Sequence, residues 1–552
     1  MDPKMNHSAI SGPADLKNRN VTVMGLGRFG GGIEVVRYLV NQGARVTVTD
    51  HLPEQQLTQS LQEIAELPLQ NVFCGEHPAE AFECDLLVVN PAVKPDHPAL
   101  QRCVTAGIPV VTEIQLLLLH LRTIGVQLRN SEYDSQLPAD VPHVTVIAVT
   151  GTNGKSTTAS LIHHLLNTHF ATDFAAKRSE GNDSVQQGQS GSERKCWLGG
   201  NIGGSLLSVV HQIQLADVVV LELSSFQLHH LGNFNFAADI AVLTGFSPNH
   251  LDWHPSLEHY HAAKQNLFRR QLRQHMAVIP AAHITNGPRT FSADHDEEDQ
   301  PTWRIRCQEL RFGVIDDGQD GVFWDENSLV VRRQGIEDAV RLSLPASLSG
   351  KHNLLNFTAA ACAAIQLGAD PFLFQKSVMK FPGLPFRLCL SGQTSTVQFI
   401  NDSASTTPES TIAAVQTLRN RPGLRQRSSM RSSMSEATDE AVQRLVVIAG
   451  GADKGSDLSN MVTELQQHAD AVVAIGNVAA TLKEAILNES ENGCQIVQVA
   501  TDFESAIRQA VELVAPCGIV LLSPGCSSFG WFQNYVDRGQ QFDLLVEQWI
   551  SK

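Results

Sequence analysis

The chain has 552 residues, of which 41 are lysine or arginine and 57 are aspartate or glutamate, giving a formal net charge of −16. This charge argues against a nucleic acid or an anionic membrane as the main partner, and the length predicts three domains. Residues 1–20 contain no apolar block typical of a signal peptide, and about 18 apolar residues nowhere run together. The ten cysteines form no C-x-x-C pair, so we expect reduced thiols and a cytoplasmic protein.

The first predicted elements form a strand, a helix and a second strand. Residues 21–50 pass from a β-rich run through a glycine turn and a helix-period stretch to a strand that ends at Asp50. The turn contains G-x-G-x-x-G at Gly25, Gly27 and Gly30, where glycines let a pyrophosphate approach a helix N-terminus. The spacing predicts a dinucleotide site, and a UDP group fits it equally well.

Later segments continue the α/β pattern. We predict strands and one helix at 84–90, 108–113, 144–151, 217–225, 238–245, 351–368 (the helix), 397–402, 444–451, 470–476 and 518–525. The predicted domains are residues 1–142, 143–387 and 388–552. Polar insertions at 177–195 and 425–440 are expected to be flexible. The fold class is therefore α/β, with Rossmann-like first and third domains and a central P-loop-type domain with a mostly parallel sheet.

The central domain opens with GTNGKST at residues 151–157, directly after a strand. Gly151 and Gly154 allow backbone N–H groups to approach a polyphosphate, Lys155 meets the outer phosphates, and the Ser156 hydroxyl can bind Mg²⁺. A chance lysine in a glycine-rich turn is the alternative, but it does not explain the complete strand, loop and helix context. The segment therefore predicts an ATP site.

Candidate metal ligands follow in the same domain. A buried strand that ends in a carboxylate often binds phosphate-linked Mg²⁺, and VVVLELSSFQL places Glu222 at that point. His250 and Asp252 lie in the loop SPNHLDWH, where a histidine alone is more often structural. Lys264 lies among alanines in the next helix, a low-polarity neighbourhood for an amine, although a lone lysine is usually solvated.

These motifs occur in the order found in Mur ligases. The resemblance extends from about residue 20 to 548 apart from the two insertions, and it rests on GTNGKST, GGNIG, LELSSFQL, SPNHLDWH, AAK, KHNLLN, GLPFR, NDSASTTPES, GGADKGSD and LLSPGCSSF. The set is most similar to members that join D-glutamate to UDP-N-acetylmuramoyl-L-alanine in peptidoglycan synthesis. The resemblance implies three domains for the UDP substrate, ATP and D-glutamate. We also expect a monomer that binds no nucleic acid and does not insert into a membrane.

The implied reaction makes an amide from a carboxylate. ATP would phosphorylate the L-alanyl carboxylate, the amine of D-glutamate would attack the acyl phosphate, and phosphate would leave. The resemblance implies two Mg²⁺ ions, one bound by Ser156 and Glu222 and one by His250 and Lys264. Lys264 would act as a carbamate made with CO₂, and Lys155 would stabilise charge on the γ-phosphate.

Further roles are implied only by matching position. The nucleotide would contact Gly151, Thr152, Asn153, Gly154, Lys155, Ser156, Thr157, Asn353, Asn356, Arg387 and Asp402. The UDP substrate would contact Gly25, Gly27, Gly30, Asp50 and Asn201, the last near the alanyl group, and D-glutamate would contact Thr406, Lys454, Ser528 and Tyr535. The chain departs from the family pattern at Ala404, where lysine is common, at His51, where threonine is common, and at Arg28 and Phe29.

Other functions stay open on the sequence alone. A related ATP-dependent amide ligase would add a different amino acid, although the DNPR motif that resembles diaminopimelate recognition is absent. An ATP-gated binding protein would keep the fold without the chemistry, although Lys155, Glu222 and His250 are all present. An NAD dehydrogenase would leave the central phosphate loop without a purpose.

Overall fold

The computed structural model divides into two compact units, residues 1–343 with 355–379, and residues 344–354 with 380–552. The described residues are 10–27, 31–124, 143–179, 194–251, 253–281, 303–314, 316–345, 348, 350–419, 443–452, 457–488, 494 and 496–551. Several predictions therefore fall outside the described residues: Gly30, Asp252, Lys454, the insertion at 425–440 and residues 180–193 of the other insertion.

A parallel sheet forms the N-terminal part of the first unit. Its strands are β1 (Asn20–Met24), β2 (Arg45–Asp50), β3 (Asn71–Cys74), β4 (Leu86–Val89) and β5 (Val110–Val111), in the order β3-β2-β1-β4-β5. Its helices are α1 (Gly31–Asn41), α2 (Glu54–Ile64), α3 (Pro98–Thr105) and α4 (Glu113–Thr123). The strand order reverses direction beside β1, and ligands of such sheets bind at the carboxyl ends of the strands at this point. The predicted Rossmann-like organisation is confirmed.

A larger sheet follows in the same unit. Its strands are β6 (Thr145–Thr150), β7 (Cys196–Gly200), β8 (Val218–Glu222), β9 (Ile240–Leu243), β10 (Met276–Pro280), β11 (Gln308–Gly313), β12 (Gly321–Asp325), β13 (Ser328–Arg333) and β14 (Ile336–Arg341). The order is β14-β13-β12-β11-β10-β9-β6-β8-β7, with antiparallel pairing only between β12, β13 and β14 among these strands. The helices are α5 (Lys155–Ser179), α6 (Ser225–Leu231), α7 (Leu257–Gln265), α8 (Lys351–Ile365) and α9 (Phe374–Val378).

The three adjacent strands β8, β6 and β9 explain why the candidate residues come together. Their sequences are nearly continuous apolar runs, and almost every residue in them is buried, as expected for parallel strands that are covered on both faces. All three end at the same edge of the sheet because they are parallel. This topology brings Gly151, Glu222 and Thr244 to one edge.

The second unit contains the C-terminal sheet. Its strands are β15 (Cys389–Gln393), β16 (Val397–Asn401), β17 (Arg444–Gly450), β18 (Ala471–Ile475), β19 (Val497–Val499) and β20 (Gly518–Gly525), in the order β15-β16-β20-β17-β18-β19. The pairing is parallel except between β15 and β16. The helices are α10 (Pro408–Arg419), α11 (Ser459–His468), α12 (Ala479–Asn488), α13 (Phe503–Val514) and α14 (Tyr535–Ile550).

The structure confirms the α/β class and every strand predicted from the sequence, with small differences at the ends. One boundary is corrected. The insertion predicted to begin at residue 177 begins later, because α5 continues through Ser179, and strand β7 begins at Cys196. No helix in the described ranges is both long enough and apolar enough to cross a bilayer.

Leu221 tests how strongly the central strands contribute to stability. This side chain in β8 is fully buried, so Leu221→Ala should lower the free energy of unfolding by ~2–5 kcal/mol. Leu272→Ala is the matched control, because Leu272 is 50 % exposed and should change stability little. Calorimetric unfolding of both variants checks this. Equal effects at the two leucines would contradict the described packing.

Candidate active site

The loop from Gly151 to Lys155 lies between the carboxyl end of β6 and the N-terminus of α5. Gly151 has φ +148° and Gly154 has φ +82°, backbone conformations that residues with a side chain rarely adopt. A Cβ atom on Gly151 would lie 2.0 Å from Thr244 Oγ1, and one on Gly154 would lie 2.2 Å from Asn356 Oδ1. The loop therefore needs glycine at both positions. Its location at a helix N-terminus, where backbone N–H groups lack intrahelical partners, suits a phosphate group.

Hydrogen bonds hold this loop against the segment that follows β9. Thr152 Oγ1 donates to the Ser247 carbonyl oxygen at 2.9 Å, and the Ser247 N–H donates to Thr152 Oγ1 at the same distance. Thr244 Oγ1 donates to the Asn153 carbonyl oxygen. The amine of Lys155 donates to the Thr152 carbonyl oxygen at 2.8 Å, so this lysine lies on its own loop. Ser156 and Thr157 occupy the first turn of α5.

The amine of Lys264 is buried next to the phosphate loop. Its side chain is 1 % exposed, and Nζ donates to the Gly151 carbonyl oxygen at 2.7 Å and lies 4.8 Å from the Tyr260 ring centre. Burial lowers the pKa of Lys264 well below its usual value, and the charge of Lys155 lowers it further, while Glu222 opposes the change. The low-polarity neighbourhood expected from the alanines around Lys264 agrees with this burial, and the shift favours the uncharged form of the amine.

Glu222 ends β8 and is almost completely buried. Its Oε1 accepts a hydrogen bond from Asn201 Nδ2 at 2.9 Å, and its carbonyl oxygen accepts one from the Asn201 N–H at 2.8 Å. The other carboxylate oxygen, Oε2, is buried and has no hydrogen-bond partner within the described residues. A buried carboxylate oxygen without a partner is costly, and a bound cation removes that cost.

His250 lies in the loop after β9 with φ +55°. Its N–H donates to Asn249 Oδ1 at 2.8 Å, and its ring packs at 5.0 Å, centre to centre, against Phe226 of α6, the helix that follows Glu222. The neighbouring His254 has a structural role, because its Nε2 is 2.9 Å from Ser225 Oγ and burial lowers its pKa to about 3.

The ligands predicted for metal ions come from separate segments. Among the residues that the structure describes, no three histidine, cysteine, aspartate or glutamate side chains form a metal site on their own. Glu222 has an unpartnered oxygen that fits a cation, and Lys264 has a buried amine whose lowered pKa fits carbamate formation. A divalent ion here would therefore need hydroxyl, phosphate or modified-lysine oxygens as well.

The nucleotide residues predicted on α8 lie in its first two turns. Asn356 is buried beside the phosphate loop, with Oδ1 within 3.5 Å of Thr158 Oγ1. Asn353 is also buried, and its N–H donates to the Gly350 carbonyl oxygen. Packing against Asn356 was not predicted from the sequence, because it joins residues about 200 positions apart in the chain.

The N-terminal sheet brings Gly25, Gly27 and Asp50 together at its carboxyl edge. Both glycines have positive φ. The Asp50 carboxylate is buried, and it accepts hydrogen bonds from the Gly27 N–H and the Leu52 N–H, each at 2.9 Å. Both of its oxygens therefore hold backbone in place, which is more than the sequence suggested for a substrate contact. His51, by contrast, has a 74 % exposed side chain beside Asp50.

Two histidines near this edge were missed by the sequence analysis. His77 Nδ1 lies 2.8 Å from Thr49 Oγ1, and the rings of His77 and His97 lie 5.4 Å apart. Burial lowers the pKa of both histidines. The neighbouring His97 lowers the pKa of His77 further, and the charge of Arg102 lowers the pKa of His97 further. No sequence signal marks them, since each follows a turn of ordinary composition.

In the second unit, Asp402 directly follows β16. Its Oδ2 accepts a hydrogen bond from Ser523 Oγ at 2.8 Å, and Oδ1 accepts one from the Leu388 N–H at 3.3 Å. Burial raises the pKa of Asp402 to about 7, although Ser523 and the charge of Arg387 act in the opposite direction. The predicted pair Arg387 and Asp402 thus lies together within this unit.

Arg538 of α14 links the chain segments that carry residues predicted for D-glutamate, and the sequence analysis missed this arginine. Its fully buried guanidinium donates to Ser403 Oγ at 3.0 Å, to the Ser403 carbonyl oxygen at 2.8 Å and to the Cys526 carbonyl oxygen at 3.3 Å. Ser403 Oγ in turn donates to the Tyr535 carbonyl oxygen at 2.7 Å. The segments that carry Thr406, Ser528 and Tyr535 are therefore joined around one arginine.

Gly154 tests the geometry of the phosphate loop. Gly154→Ala should weaken binding of a fluorescent ATP analogue with Mg²⁺ by about tenfold or more, because the new Cβ would contact Asn356 and φ is positive. Gly75→Ala is the matched control, since Gly75 has φ +90° but open space around it. Fluorescence titration measures both. Unchanged nucleotide affinity in Gly154→Ala would contradict this geometry.

Comparison with protein families assigns each region of the chain. Residues 19–112 match the model "Mur ligase MurD-like, N-terminal domain", residues 149–364 match "Mur ligase middle domain", and residues 387–526 match "Mur ligase, glutamate ligase domain".

Curated relatives and solved structures agree with these matches. A UDP-N-acetylmuramoylalanine--D-glutamate ligase of Roseiflexus sp. (strain RS-1) is 32 % identical over 96 % of this chain and 99 % of its own, and one of Ruminiclostridium cellulolyticum is 28 % identical over 98 % and 99 %. The UDP-N-acetylmuramate-alanine ligase MurC of Thermotoga maritima shares the fold, with a TM-score of 0.53, 17 % identity, and coverage of 97 % and 100 %. MurF of Acinetobacter baumannii gives 0.52 at 16 % identity, with coverage of 98 % and 93 %. The chain therefore belongs to the Mur ligase family.

Proposed function

We propose that the protein is an ATP-dependent ligase that joins D-glutamate to UDP-N-acetylmuramoyl-L-alanine. One observation carries the chemistry: a phosphate loop, a buried carboxylate with an unpartnered oxygen and a buried lysine whose pKa burial lowers share one edge of the central sheet. The amino acid and acceptor are inferred from the names of the curated relatives, which align with this chain over nearly its full length.

The central site fits ATP together with Mg²⁺. Ser156 and Glu222 would bind one ion, and the partnerless Glu222 Oε2 supports that assignment. His250 and Lys264 would bind a second. Bound Mg²⁺ neutralises phosphate charge, which makes the γ-phosphorus easier to attack.

Lys264 is proposed to react with CO₂. A bond would form between Nζ and the carbon of CO₂, the electron pair of one C=O bond would move to its oxygen, and one proton would pass from the nitrogen to solvent, which leaves a carbamate anion. Only a neutral amine can attack CO₂, and burial lowers the pKa of Lys264 well below its usual value, which favours that form. Lys264 already lies against the phosphate loop, where Nζ donates to the Gly151 carbonyl oxygen, and its carbamate would supply oxygen ligands for Mg²⁺.

The remaining residues of the central site bind and orient the reactants. Lys155 would leave its contact with the Thr152 carbonyl and stabilise the negative charge of the transferring phosphoryl group. Asn201 would orient both Glu222 and the L-alanyl carboxylate. Asn353, Asn356 and the loop residues Gly151, Thr152, Asn153, Gly154 and Thr157 would position the nucleotide.

Each of the three predicted domains would bind one reactant. Residues 1–142 would bind the UDP group through Gly25, Gly27, Gly30 and Asp50, and residues 143–387 would bind ATP. Arg387, the last residue of the central domain, and Asp402 of the third domain would contact the nucleotide, and Thr406, Lys454, Ser528 and Tyr535 would bind D-glutamate. The buried Arg538 supports the last assignment, because it joins the segments that carry three of these residues.

The proposed reaction predicts a strict set of substrates. Purified protein with ATP, Mg²⁺ and UDP-N-acetylmuramoyl-L-alanine should release phosphate with D-glutamate and form one new amide. L-glutamate, D-aspartate, L-lysine and diaminopimelate are the controls, and each should give a much lower rate. Phosphate release and mass spectrometry of the product measure this. If the protein preferred another amino acid, that amino acid would be assigned as the substrate in place of D-glutamate. If none of the five amino acids gave turnover, the ligase function would be rejected.

Lys264 predicts a specific rescue. Lys264→Ala should lower kcat by about 10²-fold or more, because it removes a proposed metal ligand from the reaction centre. Short carboxylic acids such as formate or acetate should restore part of the activity by occupying the carbamate position. Lys376→Ala, which changes an exposed lysine of the same domain, should keep full activity with or without acid. Near-normal activity of Lys264→Ala would contradict the carbamate proposal.

A further inference from the structure

Three side-chain hydrogen bonds join the N-terminal sheet region to the central domain within the first unit. Glu113 Oε1 at the start of α4 accepts from Ser205 Oγ at 2.6 Å. Gln115 Nε2 donates to the His230 carbonyl oxygen at 3.2 Å, and Trp253 Nε1 donates to the Ala92 carbonyl oxygen at 3.2 Å. Apolar side chains from both regions also form one continuous core. The two regions therefore form one packed body.

Each of these bonds ends in a segment that follows a candidate active-site residue in the chain. Ser205 follows Asn201 by four positions, His230 lies in the helix that begins after Glu222, and Trp253 follows His250 by three positions. The N-terminal region thus contacts every central segment that carries a candidate ligand after β7, β8 and β9. The bond to Glu113 is the shortest of the three and the one that uses a carboxylate.

A carboxylate at position 113 is costly, which argues that its bond has a use. Burial raises the pKa of Glu113 to about 7, and the bond from Ser205 opposes that change only in part. The helix N-terminus favours a negative charge, but Thr112 and Gln115 already cap this helix. An apolar side chain at the same place would avoid the desolvation of a charge.

The segment 199–205 packs closely against Glu222, so a displacement at Ser205 can reach that carboxylate. A Cβ on Gly200 would lie 2.3 Å from the Glu222 carbonyl oxygen, and one on Gly203 would lie 2.8 Å from the Leu198 carbonyl oxygen. Asn201 makes two hydrogen bonds to Glu222, one from its backbone and one from its side chain. The segment 199–205 is therefore held at Glu222 on one side and at Glu113 on the other.

We propose that Glu113 is a positioning residue, whose bond to Ser205 fixes the segment 199–205 so that Asn201 holds the Glu222 carboxylate in its reactive orientation. The inference rests on the proposed function, in which Glu222 binds Mg²⁺ and Asn201 contacts the acceptor. Because α4 follows directly after β5 of the N-terminal sheet, the bond also sets the acceptor-binding region in register with the reaction centre. Glu113 touches no reactant and acts through Ser205.

Two substitutions at Glu113 test the bond. Glu113→Ala removes the acceptor, and Glu113→Gln keeps an oxygen that accepts from Ser205. With ATP, Mg²⁺, UDP-N-acetylmuramoyl-L-alanine and D-glutamate, Glu113→Ala should lower kcat by about tenfold, because small displacements of reacting groups cost large factors in rate. Its KM for ATP should stay within about twofold, since the phosphate loop is unchanged, and Glu113→Gln should recover most of kcat.

Ser205 supplies the second half of the test. Ser205→Ala should lower kcat in the wild-type background but have little further effect in Glu113→Ala, because the two side chains act through one bond. Ser208→Ala is the matched control, because the Ser208 Oγ donates to the Ser205 carbonyl oxygen on the exposed side of the same turn and makes no hydrogen bond to α4 within the residues that the structure describes. This variant should behave as the wild type.

Hydrogen exchange provides a readout that needs no turnover. Amides of residues 199–207 should exchange about fivefold faster or more in Glu113→Ala than in wild type, and near the wild-type rate in Glu113→Gln. The proposal would be overturned if Glu113→Ala kept the wild-type kcat and exchange rates. It would also be overturned if Glu113→Ala and Glu113→Gln lost equal amounts of kcat, or if the losses of kcat in Glu113→Ala and Ser205→Ala were additive. If the wild-type protein shows no ligase activity, the proposed function fails, while the exchange rates still decide whether Glu113 fixes this segment.

Discussion

The hydrogen bond from the buried amine of Lys264 to the Gly151 carbonyl is the interaction on which the central site depends. It brings α7 against the phosphate loop and fixes an amine where water does not reach it. In such a place the charged form is disfavoured, and the nearby charge of Lys155 strengthens the effect. One side chain thereby meets two requirements, a fixed loop and a nucleophilic nitrogen.

The carboxylate of Glu222 complements this amine. One of its oxygens is satisfied by Asn201, and the other is buried without a partner among the described residues. A polar atom left in this state lowers stability, and binding of a cation would recover the lost free energy. Sites of this kind commonly sacrifice stability for function, and here that cost coincides with the carboxyl ends of the central strands.

The same use of sheet edges recurs in all three α/β regions, with different means of support. In the N-terminal sheet, the carboxylate of Asp50 holds the glycine loop through the Gly27 N–H. In the second unit, Arg538 joins the segments around Ser403 and Cys526 by hydrogen bonds to their carbonyl oxygens. Parallel sheets place these segments at one edge, but a buried charged side chain gives each edge its shape.

The sequence alone determined the features that depend on short stretches of chain. Apolar runs predicted the strands, and glycine spacing with Lys155 predicted the phosphate loop, because backbone conformation and local burial follow from neighbouring residues. The position of Glu222 at a strand end followed from the same pattern. Family resemblance added the order of the motifs and the roles proposed for single residues.

Only the tertiary structure decided which of these residues meet and which polar atoms stay unpartnered. The bond between Glu113 and Ser205 spans 92 positions in the chain, and that between Arg538 and Ser403 spans 135. No periodicity connects such residues, because their proximity is set by the packing of whole sheets and helices. The lowered pKa of Lys264 has the same origin, since it depends on how completely distant segments exclude water from its amine.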